Sequence, residues 1–307
     1  MKQIQTIALI GLGAVGINFA YYLNQHLPKG ALRIVADKQR TVRYRSEGCY
    51  YNGERCDFLY ADENNTAQAV DLVLFCTKAN GLRKACETIQ EHCDSDTLFM
   101  SAVNGITSEA VLAEYFNREN IIYTVAQGMD ATKVGNHVEC HTLGELCFGA
   151  FDRSQNEAVN RIHEFFDGIG FPHTLKQDII HHQWGKFMLN CGLNQVVALH
   201  CGTYETIQQP GEARTQMLAA MKEVQQLSVY EGIHLTEQEI IEWAAMCDTL
   251  SPTGRPSMAQ DVLAKRRTEV NLFAAEVIRR CAKFQLSCPV NTLLYERLTA
   301  LESTFPA

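Results

Sequence analysis

Short, largely apolar runs recur along the first half of the chain, separated by longer stretches of helical periodicity. Residues 7–10, 32–36, 71–77, 97–103 and 121–126 each fit a strand buried on both faces. The apolar run continuing to Leu23, and residues 82–92 and 108–116, read as helices between them. Strand alternating with helix predicts an α/β domain with a doubly wound parallel sheet. Residues 50–60 contain Asn52-Gly53, a hairpin turn dipeptide. From 130 to 149 the pattern becomes short strands punctuated by glycine, which predicts an antiparallel extension, and 155–166 reads as a further helix. After the breaker-rich stretch 168–172, glycines thin out and helical periodicity runs onward. The expected division is a sheet domain over residues 1–172 and an all-helical domain over residues 173–307. No internal repeat is visible.

The first strand runs into Gly11-Leu12-Gly13-Ala14-Val15-Gly16, the G-x-G-x-x-G pattern, and then into a helix. That context makes the pattern informative. The first glycine allows the turn, the second admits a pyrophosphate, the third lets helix and strand pack closely, and the helix N-terminus offers free N–H groups. Asp37 lies 21 residues after Gly16, at the end of the second strand, where a carboxylate hydrogen-bonds an adenosine ribose. The first domain is therefore expected to be of Rossmann type and to bind NAD or NADP. The rival readings are a ligand-free glycine turn or an export signal, since residues 7–23 carry no charge. The glycine spacing and the lack of a small-residue cleavage site argue against a signal.

A net charge of −8 gives no basic footprint for nucleic acid, and no other uncharged run approaches a membrane span. The twelve cysteines include no C-x-x-C pair and read as reduced, mostly core thiols, in keeping with a cytoplasmic protein. The densest metal-like cluster is His137-Val138-Glu139-Cys140-His141. On a strand, His137 and His141 share a face and Cys140 points away, so no metal is expected there.

Two segments of the helical half stand apart. Lys186, Asn190 and Asn194 are four apart and form one polar stripe on a helix whose Phe187, Leu189 and Leu193 are apolar. A helix this apolar should be buried, so the stripe needs partners or a ligand; the alternative is a solvated stripe. Ser257 with Gln260 has the spacing of a capping box, which would by itself explain the serine. The helix it opens is expected to carry Glu269, with Val262 and Phe273 nearby, as a rim salt-bridge partner or a site residue.

With these segments the chain resembles the ketopantoate reductase family (2-dehydropantoate 2-reductases) over nearly its whole length. The motifs in order are GLGAVG at 11–16, CTKA at 76–79, VNGI at 103–106, WGKFMLNCGLN at 184–194, PSMAQD at 256–261 and RTEVN at 267–271. The resemblance implies a Rossmann domain joined to a helical one, and reduction of a 2-keto acid to a D-2-hydroxy acid with NAD(P)H. The first expectation is 2-dehydropantoate to D-pantoate, in pantothenate biosynthesis. It further implies that Lys186 is the general acid and that Glu269 holds a substrate hydroxyl and positions Lys186. Asn190 and Asn194 would bind substrate oxygens and Ser257 the substrate carboxylate. Lys78 and Asn104 would join residues 11–16 in holding the cofactor, and the site would close by a hinge motion of the domains.

The departures from the family pattern are specific. Where the family commonly has an arginine for the NADP 2′-phosphate stands Asp37, which argues for NAD, although Lys38, Arg40 and Lys78 could compensate. Asn194-Gln195 replaces the frequent Asn-Pro, Glu269-Val270-Asn271 the usual Glu-Val/Ile-Asp, and Ala274-Ala275 a pattern with glycine. They leave open a second reading, an NAD-dependent D-2-hydroxyacid dehydrogenase for branched or aromatic 2-keto acids. A third is a non-catalytic NAD(P)-binding redox sensor, against which the Lys186/Glu269 set argues. The expected partner is a small 2-keto acid, with no nucleic acid or membrane, and a homodimer is the candidate assembly.

Overall fold

The computed structural model describes residues 3–62 and 68–306 and forms two compact units, Met1–Ile179 and Ile180–Ala307. The first unit opens with β1 (Ile7–Ile10), α1 (Ala14–His26), β2 (Leu32–Val35) and α2 (Lys38–Glu47). Short strands β3 (Tyr50–Tyr51), β4 (Glu54–Arg55) and β5 (Tyr60–Ala61) follow. Then come β6 (Leu72–Phe75), α3 (Leu82–Ile89), β7 (Leu98–Ser101), α4 (Ser108–Leu112) and β8 (Ile121–Gln127). The unit ends with β9 (Thr132–Val134), β10 (His137–Glu139), β11 (Glu145–Gly149), α5 (Asn156–Gly168) and β12 (His173–Leu175).

The main sheet has the order β12-β11-β8-β7-β6-β1-β2-β5. Its six strands from β8 to β5 pair in parallel, while β11 runs antiparallel to β8. The order reverses between β1 and β6, and at such a switch point a doubly wound sheet leaves a crevice beyond its strand carboxyl ends. Alternate residues of β1 serve opposite faces. Ile7 and Leu9 join Ile17, Phe19 and Leu23 of α1 in one apolar cluster, whereas Ala8 and Ile10 join Leu82, Ala85 and Ile89 of α3 in another. Burial on both faces is why these strands read as largely apolar runs.

Three details differ from the sequence reading. Residues 38–47 carry no apolar periodicity yet form α2, held by Asp37 at its start and Gly48 (φ 71°) at its end. The glycine-punctuated strands do not all extend the main sheet. β9 and β10 pair with the β3–β4 hairpin, whose Asn52 and Gly53 have φ of 47° and 85°, in a separate four-stranded sheet. The stretch 168–172 is not the unit boundary, because β12 beyond it adds in parallel to β11 and keeps the chain in the first unit up to Ile179.

The chain then continues in helices: α6 (Ile179–Leu199), α7 (Glu205–Gln208), α8 (Glu212–Tyr230), α9 (Glu237–Asp248), α10 (Ser257–Leu263), α11 (Ala274–Lys283) and α12 (Pro289–Glu302). α6 is the central rod of the second unit. A Cβ on its Gly192 would lie 2.7 Å from Met221 Cγ and 2.8 Å from Met217 O, so α6 and α8 cross almost backbone to backbone. Among the described residues, no helix is long and apolar enough to cross a membrane.

Candidate active site

The three loop glycines are constrained in three different ways. Gly11 has φ +105°, and a Cβ there would stand 2.7 Å from the backbone of Cys76 and Thr77, so the turn closes against the end of β6. A Cβ on Gly16 would sit 1.8 Å from Gly11 O, which leaves no room for any side chain. At Gly13 a Cβ would meet only Cys76 O, at 3.8 Å. The protein itself has room for a side chain at 13. Gly13 also precedes α1, whose first N–H groups receive no side-chain cap. Leu12 is buried, whereas Ala14 and Val15 are half-buried in the first turn.

Around this loop stand polar groups that fit a dinucleotide. Thr77 Oγ1, just past β6, is buried with no hydrogen-bond partner among the described residues. The next residue, Lys78, is exposed and starts the short turn Ala79–Gly81. Asn104 lies half-buried beyond the adjacent β7. Sequence reasoning missed Lys133 on β9, whose Nζ donates to Leu12 O and brings an ammonium to the glycine loop. No motif marks it, because the contact comes from a strand of the smaller sheet. Asp37 follows the end of β2 and has a structural task. Its Oδ1 accepts the Arg40 N–H at 2.7 Å as the N-cap of α2, and its Oδ2 lies 3.6 Å from Arg40 Nε.

In the second unit the polar stripe is not a solvated face. From residue 183 to 198 every residue of α6 is buried except Lys186, which is half-buried. Asn190 and Asn194 are only 5% and 6% exposed, and Asn194 Nδ2 donates to Asn190 Oδ1 at 2.8 Å. Asn194 Oδ1 accepts from Ser257 Oγ at 3.2 Å and from the Met258 N–H at 3.3 Å. The structure thus joins Asn190, Asn194 and Ser257 in one hydrogen-bonded run. The capping box expected at Ser257 does not form. Ser257 is already the first helical residue, Pro256 is the N-cap, and Gln260 Nε2 donates to Arg255 O instead. Asn194 caps α10 from across the helix packing, which leaves Ser257 without the structural role that its spacing suggested.

Glu269 is not on the helix that begins at Ser257. That helix stops at Leu263, where Lys265 adopts φ 51° and the Arg266 N–H bonds back to Asp261 O at 2.8 Å. Glu269 occupies the following turn, half-buried, and its carbonyl accepts the Leu272 N–H at 2.8 Å. The turn leads to Phe273, whose ring centroid is 6.4 Å from that of Phe187, the neighbour of Lys186. The replaced family position, Gln195, is fully buried. Its Oε1 accepts the Ala274 N–H at the start of α11, and its Nε2 donates to Cys191 O and Asn291 Oδ1.

The cluster at 137–141 is dispersed. His137 stacks on Tyr50 at 4.4 Å, and Cys140 Sγ lies 3.3 Å from Asp130 Oδ1. All twelve cysteines are free, and ten of them are buried.

Two family models match the chain, that of ketopantoate reductase PanE/ApbA over residues 7–153 and that of its C-terminal part over residues 178–302. The 2-dehydropantoate 2-reductase of Vibrio cholerae is 22% identical over 300 residues, covering 97% of this chain and 98% of its own. The 2-dehydropantoate 2-reductase of Pyrococcus horikoshii is 25% identical over 235 residues, 76% of each chain. Among solved structures, D-mandelate dehydrogenase with NADH and anilino(oxo)acetate superposes with a TM-score of 0.87 at 21% identity, over 97% of this chain and 99% of that one. A dimeric ketopantoate reductase of Staphylococcus aureus gives a TM-score of 0.82 at 20% identity, over 97% and 99%.

Proposed function

Because the chain belongs to the ketopantoate reductase family of oxidoreductases, which use a nicotinamide cofactor, we propose that it reduces a 2-keto acid to a D-2-hydroxy acid. 2-Dehydropantoate is the first substrate to test. The observation that carries the reading is the hydrogen-bonded run from the buried Asn190 and Asn194, on the same helix as the half-buried Lys186, to the exposed Ser257 at the start of α10. Buried amides held this way are expensive unless a ligand or partner uses them.

The reduced nicotinamide, when bound, supplies the hydride. Gly11 to Gly16 and the start of α1 hold the pyrophosphate, with Thr77, Lys78 and Asn104 beside the crevice and Asp37 toward the ribose. Lys186 gives a proton to the carbonyl oxygen as negative charge grows there, and its ammonium stabilises that charge on the way. Asn190 and Ser257 bind the keto-acid oxygens and carboxylate. Asn194 commits its amide to Asn190, Ser257 and the Met258 N–H, so its share is to fix the other two in place. Glu269 holds the substrate hydroxyl and orients Lys186.

Asp37 favours NADH, and together with the likeness to NADH-bound D-mandelate dehydrogenase it supports a second reading, an NAD-dependent dehydrogenase for branched or aromatic D-2-hydroxy acids. The deciding experiment is steady-state oxidation of NADH and NADPH with 2-dehydropantoate and with branched and aryl 2-keto acids. A dominant kcat/KM on 2-dehydropantoate supports the first reading. Turnover confined to bulky keto acids supports the second. Cofactor binding without turnover on any keto acid overturns both and leaves a non-catalytic nicotinamide-binding protein. The homodimer proposed with it is read by light scattering.

A further inference from the structure

Away from the glycine loop and from Lys186, three metal-binding side chains meet where α5 packs against the edge strand β12. Among the described residues, only His163, Asp167 and His173 bring ligand atoms this close, all within 4.8 Å of one another. His163 and Asp167 are four apart on α5 and share a face, and β12 returns His173 to that face. His173 is held firmly. Its side chain is 6% exposed, and its ring stands 5.7 Å from that of Phe148 and 5.5 Å from that of Phe166. Its Nδ1 lies 2.7 Å from Phe171 O. A carbonyl only accepts, so Nδ1 carries the ring proton and Nε2 presents a lone pair. A backbone carbonyl fixing the far nitrogen in this way is the usual outer support of a metal-binding imidazole.

The lone pair of His173 Nε2 is 2.7 Å from His163 Nδ1 and 3.6 Å from Asp167 Oδ1, and His163 Nε2 is 3.5 Å from Asp167 Oδ2. We propose that His163, Asp167 and His173 form a binding site for a zinc-class divalent cation. The ligands are His163 Nδ1, His173 Nε2 and Asp167 Oδ1, with water completing the tetrahedron. The proton that His163 Nδ1 shares with His173 moves to the ring's other nitrogen, Nε2, so the imidazole stays neutral and binding needs no net proton release. Zinc bonds of about 2.0–2.1 Å place neighbouring ligands of a tetrahedron about 3.3 Å apart, and the separations of His173 Nε2 from His163 Nδ1 and from Asp167 Oδ1, 2.7 and 3.6 Å, bracket that value. Two imidazoles and a single carboxylate suit zinc or cobalt and not magnesium or calcium, which take oxygen. Asp167, 63% exposed, keeps the position open to solvent. A bound ion clips α5 to β12.

The test is calorimetric titration of chelator-treated full-length protein with Zn²⁺, beside His163→Gln, Asp167→Asn and Cys201→Ser. His163 and Asp167 are exposed enough to be replaced without opening the core, and Cys201, next to His200, is the exposed thiol that could compete. The expected result is one ion per chain, bound with unchanged affinity by Cys201→Ser. Each of the other two variants should bind more than about 100-fold more weakly, beyond the loss that an outer-shell change causes. Co²⁺ should give a spectrum without a thiolate band, and saturating Zn²⁺ should raise the thermal midpoint of the wild type by about 5 °C, which Asp167→Asn should not show. Zinc affinity unchanged in His163→Gln and Asp167→Asn, a thiolate band, or no heat on titration would overturn the site.

Discussion

The glycine loop allows fold and binding to be separated by substitution. Gly16→Ala places a methyl 1.8 Å from Gly11 O and 3.1 Å from Cys76 Cβ, and the near atom is backbone that cannot rotate away. Overpacking of this kind costs about 3 kcal/mol or more. Gly13→Val meets nothing closer than Cys76 O at 3.8 Å, in an extended backbone (φ −75°, ψ −169°) that suits a β-branched residue. Its structural cost is the poorer helix cap, about 1 kcal/mol at most. Its cost to binding is larger. A branched side chain holds the pyrophosphate off the α1 N–H groups, and two charge-assisted bonds lost at about 1.5–3 kcal/mol each lower cofactor affinity by at least about 100-fold. Urea unfolding and NADH titration calorimetry on the two variants measure both quantities. Gly13→Val with wild-type NADH affinity, or Gly16→Ala with wild-type stability, refutes the division of labour among the three glycines.

Lys186→Ala should lower kcat by about two to four orders of magnitude with little change in NADH affinity, and the wild-type rate should fall at high pH as the ammonium loses its proton; stopped-flow and steady-state kinetics read both. Asp37→Asn keeps a capping oxygen for α2 but removes the charge proposed to face the ribose. The NADPH to NADH ratio of kcat/KM should rise by about tenfold, the worth of one screened unit charge near a phosphate, and an unmoved ratio places the carboxylate away from the ribose. Gln195→Leu strands the buried Ala274 N–H and should cost about 1–3 kcal/mol in urea unfolding while leaving KM for the keto acid within twofold or so; a KM effect without a stability loss makes Gln195 a substrate residue.

Much of the first unit was legible because its strands are buried on both faces, so each appears as an apolar run that nothing else in the chain imitates. The hairpin at Asn52-Gly53 was legible because both turn residues adopt positive φ. What escaped had no local signature. α2 buries only Thr41 and leans on its cap. β12 is three residues long and exists by pairing with β11. The break after Leu263 carries neither glycine nor proline, since residues 257–288 contain none until Pro289. A lysine takes the left-handed position instead, so the helical periodicity seemed to run on through Glu269.

The departure Asn194-Gln195 has its explanation in helix capping. Two consecutive residues of α6 cap two different helices, Asn194 the Met258 N–H of α10 and Gln195 the Ala274 N–H of α11. One turn of α6 therefore fixes both the segment that carries Ser257 and the turn that carries Glu269. A proline at 195 offers no side-chain acceptor to Ala274 and no donor to Cys191 and Asn291, so in this chain the glutamine ties α11 to α6 by bonds that a proline cannot make. The buried amide pays for itself by satisfying a helix terminus that would otherwise be orphaned. On this account the substitution bears on how α11 is anchored, and differences in keto-acid preference must arise from residues that face the substrate.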